Sequence, residues 1–158
     1  MNGHAWRRKF IELAEDVFRE LGFPPPSMLH EESLPLAMEL EIESIPFELL
    51  HSSADQVEFG LVICKLGPVP SGIGISGIRR LLQSNLVLAR THEAFYGVNP
   101  DTSQIQCMFQ TRLMQVTAVD LLAKMRQISL DSLQWKKDFF SIPSLNISEV
   151  SIAHQILA

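Results

Sequence analysis

Apolar and polar positions along this chain repeat with two different periods, and each change of period marks a new element. The stripe Trp6, Phe10, Leu13, Ala14, Val17, Phe18 and Leu21 has helical spacing, with Arg7, Arg8, Glu12, Glu15, Asp16 and Arg19 mostly opposite. Gly22 follows the last periodic residue as a C-terminal cap, and Pro24, Pro25 and Pro26 prevent continuation. The period then drops to two. Met38, Leu40 and Ile42 alternate with Glu39, Glu41 and Glu43, as in a half-buried strand whose glutamates face solvent. Ile45-Pro46 breaks the pattern, and a second strand forms around Phe47 and Leu49. Ser52 to Asp55 reads as a turn, and Val57 to Leu66 is a third strand with Val57, Phe59, Leu61 and Ile63 on one face. The short intervals make these three strands an antiparallel meander.

The helical period returns after a corner rich in proline and glycine. Ile75, Ile78, Leu81, Leu82, Leu86 and Ala89 share one face, and Val87 and Leu88 add apolar surface on another. A helix apolar over more than half its girth needs cover on two sides. In so short a chain a second subunit supplies that cover, so this stretch predicts a dimer helix. Ala94 to Val98 is a short strand, and Asn99-Pro100-Asp101-Thr102 a strong turn. Gln104 to Leu113 is a fifth strand with Ile105, Cys107, Phe109, Thr111 and Leu113 inward and Gln106, Met108, Gln110 and Arg112 outward. Thr117 and Asp120 form a capping-box-like start for a last helix through Leu121, Leu122, Met125, Ile128, Trp135 and Phe139, with a place for a bend at Ser129 to Ser132. One domain over residues 1–140 is expected, followed by a mobile tail, residues 141–158.

Composition narrows the class. The chain has 158 residues, 46% apolar, enough for one real core. A net charge of −5 argues against nucleic acid as the main partner. No apolar run reaches the ~18 residues of a membrane span. The basic start lacks a signal-peptide core, so a cytoplasmic protein is expected. Cys64 and Cys107 lie far apart in strand-like segments and read as reduced, buried thiols.

Chemistry is hard to find. Gly72, Gly74 and Gly77 spell GxGxxG, the outline of a dinucleotide-binding turn, with Glu93 further on. The motif should follow its strand directly, but GPVPS intervenes and no series of βαβ units surrounds it. A small nucleotide- or metabolite-binding domain is therefore the alternative reading, and a flexible glycine corner the simpler one. His4, His30, His51, His92 and His154 are scattered without a second ligand at metal spacing. No serine sits in a GxSxG elbow, and no nucleophile has an evident base. No catalytic residue, metal or cofactor is expected. Excess apolar surface on a small acidic frame points to binding.

Helix one, the hairpin IPFELLHSSADQVEFGLVICKLGPVP, the helix IRRLLQSNLVLAR and the segment FYGVNPDTSQIQCMFQTRL, in this order, resemble the Tir-chaperone family, class I type III secretion chaperones. The resemblance covers roughly residues 5 to 140. It rests on the Leu66-Gly67-Pro68 corner, the Leu-Leu-x-x-Asn of Leu81 to Asn85 and the Asn-Pro-Asp-Thr turn taken together. The family turn commonly carries glycine where Ser103 stands.

The resemblance implies an α+β fold of order α-β-β-β-α-β-β-α, a twisted antiparallel five-stranded sheet with three helices, homodimeric through the second helix. It implies a non-enzymatic protein in the cytoplasm of a Gram-negative bacterium. Such a protein holds the N-terminal segment of a secreted effector extended until export and meets the ATPase of the secretion apparatus. An adaptor of the same fold that binds an apparatus component is the related alternative. By position, Ile75, Ile78, Leu82, Leu86 and Phe95 would form the twofold contact. Phe10, Leu13, Val17, Leu40, Ile42, Phe47, Leu49 and Met108 would bind the effector.

Overall fold

A computed structural model describes residues 3–25, 35–52, 56–69, 74–91 and 94–139. The expected tail, residues 141–158, lies outside them. So do most of the Ser52–Asp55 turn, Gly72, Glu93, and the side chains of Val87, Leu88, Ala89, Trp135 and Phe139.

The element order is α1 (Gly3–Glu20), β1 (Leu36–Ile42), β2 (Ile45–His51), β3 (Phe59–Pro68), α2 (Gly74–Thr91), β4 (Phe95–Val98), β5 (Gln104–Arg112) and α3 (Ala118–Phe139). One five-stranded sheet has the order β1-β2-β3-β5-β4, with every neighbouring pair antiparallel. This is the α+β architecture expected from the sequence.

Local chemistry explains most boundaries. Gly22, at φ +78°, ends α1 while its N–H donates to the Arg19 carbonyl (3.0 Å) and the Phe23 N–H to the Phe18 carbonyl (2.9 Å). That pair of bonds satisfies helix-end carbonyls through a left-handed residue. At the start of α3, Thr117 Oγ1 accepts from the Asp120 N–H (3.2 Å) and donates to its carboxylate (2.6 Å). The helix runs without interruption past Ser129, whose hydroxyl lies 3.0 Å from the Met125 carbonyl and 3.3 Å from that of Ile42. The serines therefore settle into the helix rather than bend it.

The first hairpin differs from expectation. The break anticipated at Ile45-Pro46 falls at Glu43 and Ser44, both at positive φ (51° and 62°), the geometry of a two-residue hairpin turn. Pro46 is tolerated inside β2 because pairing with β3 begins only at Phe47. In β3 a register shift between Lys65 and Gly67 accommodates one extra residue, and Gly67 takes φ +102° there.

Helices α1 and α3 pack on each other and cover one face of the sheet. The core lies between, built from Phe10, Val17, Phe47, Leu49, Val62, Phe109, Leu121 and Met125 among others. The inward set expected on β5 is confirmed for Ile105, Cys107, Phe109 and Leu113. On β3 the core-facing residues are Val62, Cys64 and Leu66. The face carrying Phe59, Leu61 and Ile63 is the other one, half-buried and uncovered by any described helix.

Candidate functional site

The first feature is α2. It packs against β4, and its Leu81 reaches the core. Its other large apolar residues with described side chains do not: Ile75 is 81% exposed, Ile78 51%, Leu82 60% and Leu86 71%, with Phe95 of β4 at 49%. Helical spacing puts those four on one stripe. The five residues expected at a twofold contact are thus all unpartnered apolar surface in the single chain.

The second feature is the open face of the sheet. Strand register arranges it in rungs: Ala37, Leu50, Leu61 and Gln110 form one, and Glu39, Glu48, Ile63, Met108 and Phe95 the next. Apolar residues therefore run from Leu50 and Leu61 through Ile63 and Met108 to Phe95 on β4, the strand against which α2 packs. At one end Pro35, Leu50, Phe59 and Leu61 wall a concavity of 310 Å³, rimmed by Gln56 and Gln110. Those two glutamines share a 2.8 Å hydrogen bond. The volume is that of a small ligand or one large side chain.

Charge is concentrated on the same face, on β1–β3 toward the Glu43–Ser44 turn. Lys65 Nζ lies 2.5 Å from Glu39 and 3.2 Å from Glu48. The hydrogen bond to Lys65 and its charge hold the Glu39 carboxyl below the usual carboxylate range. The Glu39 partnership in turn raises the Lys65 ammonium, against an opposing desolvation effect.

The residues expected to bind an effector divide. Phe10, Leu13, Val17, Ile42, Phe47 and Leu49 are buried between helices and sheet and offer no surface in this conformation. Their alternation places them on the helix-covered side, the assignment that a single sequence leaves open. Leu40 and Met108 are half-buried and reachable, Met108 on the open face. Leu50, Phe59, Leu61 and Ile63 were missed as surface residues. Their signal was present: β3 is apolar at both alternating sets, so one set had to face away from the core.

Other candidates fall away. His51 is buried, stacked on Phe10 at 5.3 Å, with Nε2 2.9 Å from the Val57 carbonyl oxygen, so Nε2–H donates. Gly74 opens α2 and Gly77 lies inside it, whereas a dinucleotide turn keeps its first glycines ahead of the helix in a parallel sheet. Among the described residues no group of three or more His, Cys, Asp or Glu could hold a metal ion. No described helix is long and apolar enough to cross a membrane.

No family model matches the sequence, and no curated protein matches it significantly. Solved structures do match. The chain is similar to one in the ExsC–ExsE complex, with a TM-score of 0.63 and 20% identity over 82% of this chain and 92% of that one. It is also similar to one in the Yersinia pestis type III secretion chaperone SycH in complex with a stable fragment of YscM2, with TM-score 0.61, 13% identity, and 79% and 98% coverage. A chain of the HopA1–SchA chaperone–effector complex matches with TM-score 0.61 and 16% identity, covering 82% and 94%. The chain has the fold of the type III secretion chaperones.

Proposed function

We propose that this protein is a type III secretion chaperone, acting as a dimer on the N-terminal segment of a secreted effector in the cytoplasm of a Gram-negative bacterium. One observation carries the reading. On this fold, α2 exposes Ile75, Ile78, Leu82 and Leu86 and packs against β4, whose exposed Phe95 stands beside Met108 in an apolar row across the open sheet face. A second copy covers the stripe, and an extended client lies along the face from Met108 and Ile63 toward the Leu50–Leu61 concavity. Leu40 contributes beside the β1 edge.

The energetics suit an extended client. Each buried Leu- or Phe-sized side chain contributes ~1.5–3 kcal/mol, and each ordered residue costs about 1–2 kcal/mol of backbone entropy. Several pockets are therefore needed, and strand addition must supply backbone hydrogen bonds as well. The role is one of holding rather than catalysis, with ATP hydrolysis left to the ATPase of the secretion apparatus. Native purification of the tagged chain from its own cells, followed by mass spectrometry, tests this. A stoichiometric secreted protein supports the proposal. Bare protein, or a metabolic enzyme or nucleotide in its place, rejects it.

A further inference from the structure

The two edges of the sheet are treated differently. At the β4 edge, Tyr96 directs its N–H and C=O away from β5, and Asn85 of α2 takes both, at 2.6 and 2.8 Å. That edge is closed to another strand at this position. The β1 edge has no comparable cap among the described residues. Its two-residue turn makes Ile42 and Ile45 the hydrogen-bonded closing pair. The alternation of an antiparallel ladder then directs the N–H and C=O of Ala37, Glu39 and Glu41 outward.

The same three residues set side chains on the open face, and all three are exposed. Two of them are carboxylates. Glu39 shares Lys65 with Glu48, while Glu41 makes no ion pair among the described residues. Lys65 thus pairs with two of the three carboxylates here, and Glu41 is left without a described counter-charge. On an added strand, the side chains directly opposite Glu39 and Glu41 would stand about 5 Å away, where like charge repels and opposite charge attracts.

We infer that the segment admitted at β1 is an extended strand with Lys or Arg at two alternate positions, i and i+2, opposite Glu39 and Glu41, and uncharged residues between them. The intervening side chains turn to the helix-covered side, next to half-buried Leu40. Backbone pairing supplies affinity without sequence preference, and the carboxylates supply the preference. The inference rests on the client-binding reading above and adds the chemistry of the client.

The full chain is titrated with two fluorescent peptides as long as β1, seven residues, one alternating Val and Lys and the other Val and Glu. Binding is read by anisotropy and by amide shifts of β1, at low and at high salt. The Val–Lys peptide is expected to bind more tightly, with an advantage that shrinks as salt rises. Glu39→Gln combined with Glu41→Gln is expected to weaken it about three- to tenfold, as two exposed ion pairs allow, and to bring the two peptides together. Ala37→Pro removes an outward N–H without changing charge and is expected to weaken both peptides. Denaturation midpoints of the variants confirm that each is folded.

Equal binding of the two peptides by the unaltered chain overturns the charge inference and leaves the client-binding reading intact. A purified client complex that shows no perturbation of β1 and no loss in Ala37→Pro overturns the choice of edge. A chain that retains no client from its own cells overturns the reading on which both depend.

Discussion

The Asn85 side chain makes two hydrogen bonds to the backbone of Tyr96, accepting from its N–H at 2.6 Å and donating to its carbonyl at 2.8 Å. A side-chain amide thus takes the place of a neighbouring strand, joins α2 to β4, and blunts an edge that would otherwise pair with other chains. Asn85→Ala leaves two partly buried backbone groups unpaired and is expected to cost about 1–3 kcal/mol, read as a lower urea midpoint. Asn85→Asp keeps the acceptor and loses the donor, so it falls between the two. A midpoint unchanged in Asn85→Ala would mean that packing alone holds α2 in place.

Leu82 is the central exposed residue of the α2 stripe. The wild-type chain is expected to elute with the mass of two copies in light scattering. Leu82→Asp places a charge in the proposed contact and is expected to give single copies or aggregates. An unchanged, soluble dimer would place the twofold contact elsewhere.

Core and proposed client surface are separable by mutation. Phe47 is fully buried, and Phe47→Ala is expected to cost about 3–5 kcal/mol of stability. Met108 lies half-buried on the open face, with its Cε 3.0 Å from where a Cβ on Gly97 would stand. Met108→Gln is expected to leave the unfolding free energy from urea titration within about 0.5 kcal/mol of wild type, the usual range for surface changes, while weakening client retention. The reverse pattern, with stability lost at Met108 and client binding lost at Phe47, would exchange the two roles.

Alkaline pH is expected to unfold the protein by way of its buried groups. Burial, with a smaller contribution from Cys64, pushes the Cys107 thiol up to about 12, and burial raises the Tyr96 hydroxyl as well. Each group keeps its proton in the folded state after the unfolded chain has begun to release it, near pH 8.5 for a thiol and about 10 for a phenol. Stability is therefore full below those values and falls as pH rises from about 9 toward 12. Cys107→Ala is expected to flatten the early part of that decline in urea midpoints measured from pH 8 to 10.5, at the cost of a small cavity. Both thiols are expected to resist a disulfide reagent until the chain unfolds, because both are reduced and buried.

Ser103 follows the Asn-Pro-Asp-Thr turn at φ +53°, a conformation that favours glycine. Its N–H donates to the Asn99 carbonyl at 2.8 Å, and Asn99 Oδ1 accepts from the N–H groups of Asp101 and Thr102. The hairpin is thus fully formed with serine in the strained position. Ser103→Gly relieves about 1–2 kcal/mol of left-handed strain and adds about 0.5–1 kcal/mol of unfolded-state entropy. A net gain of a few degrees in melting temperature is expected. A loss would show that Ser103 contributes through its side chain.

The element order was legible because helices and strands write different periods into the sequence. Gly22, Thr117 with Asp120, and the Asn99 turn announced their caps and bends by residue type. The α2 stripe stood out because it is too apolar for a helix with one covered side. The face proposed for the client was harder to read. Alternation divides a strand such as β1 into two sets without saying which set the helices cover, so Ile42 and Phe47 looked as available as Met108. The Glu43-Ser44 turn escaped notice because neither residue is glycine, and Arg7 because a charged residue is rarely buried with Phe10 and Ala14. The pairing of Asn85 with Tyr96 joins residues eleven apart across a loop and leaves no periodic trace.

The most direct measurement is native mass spectrometry of the purified client complex after limited proteolysis. A surviving species with the mass of two copies of this chain plus one N-terminal fragment of a secreted protein is expected. A species holding one copy, or a pair of copies from which the client is digested completely, would contradict the proposed function.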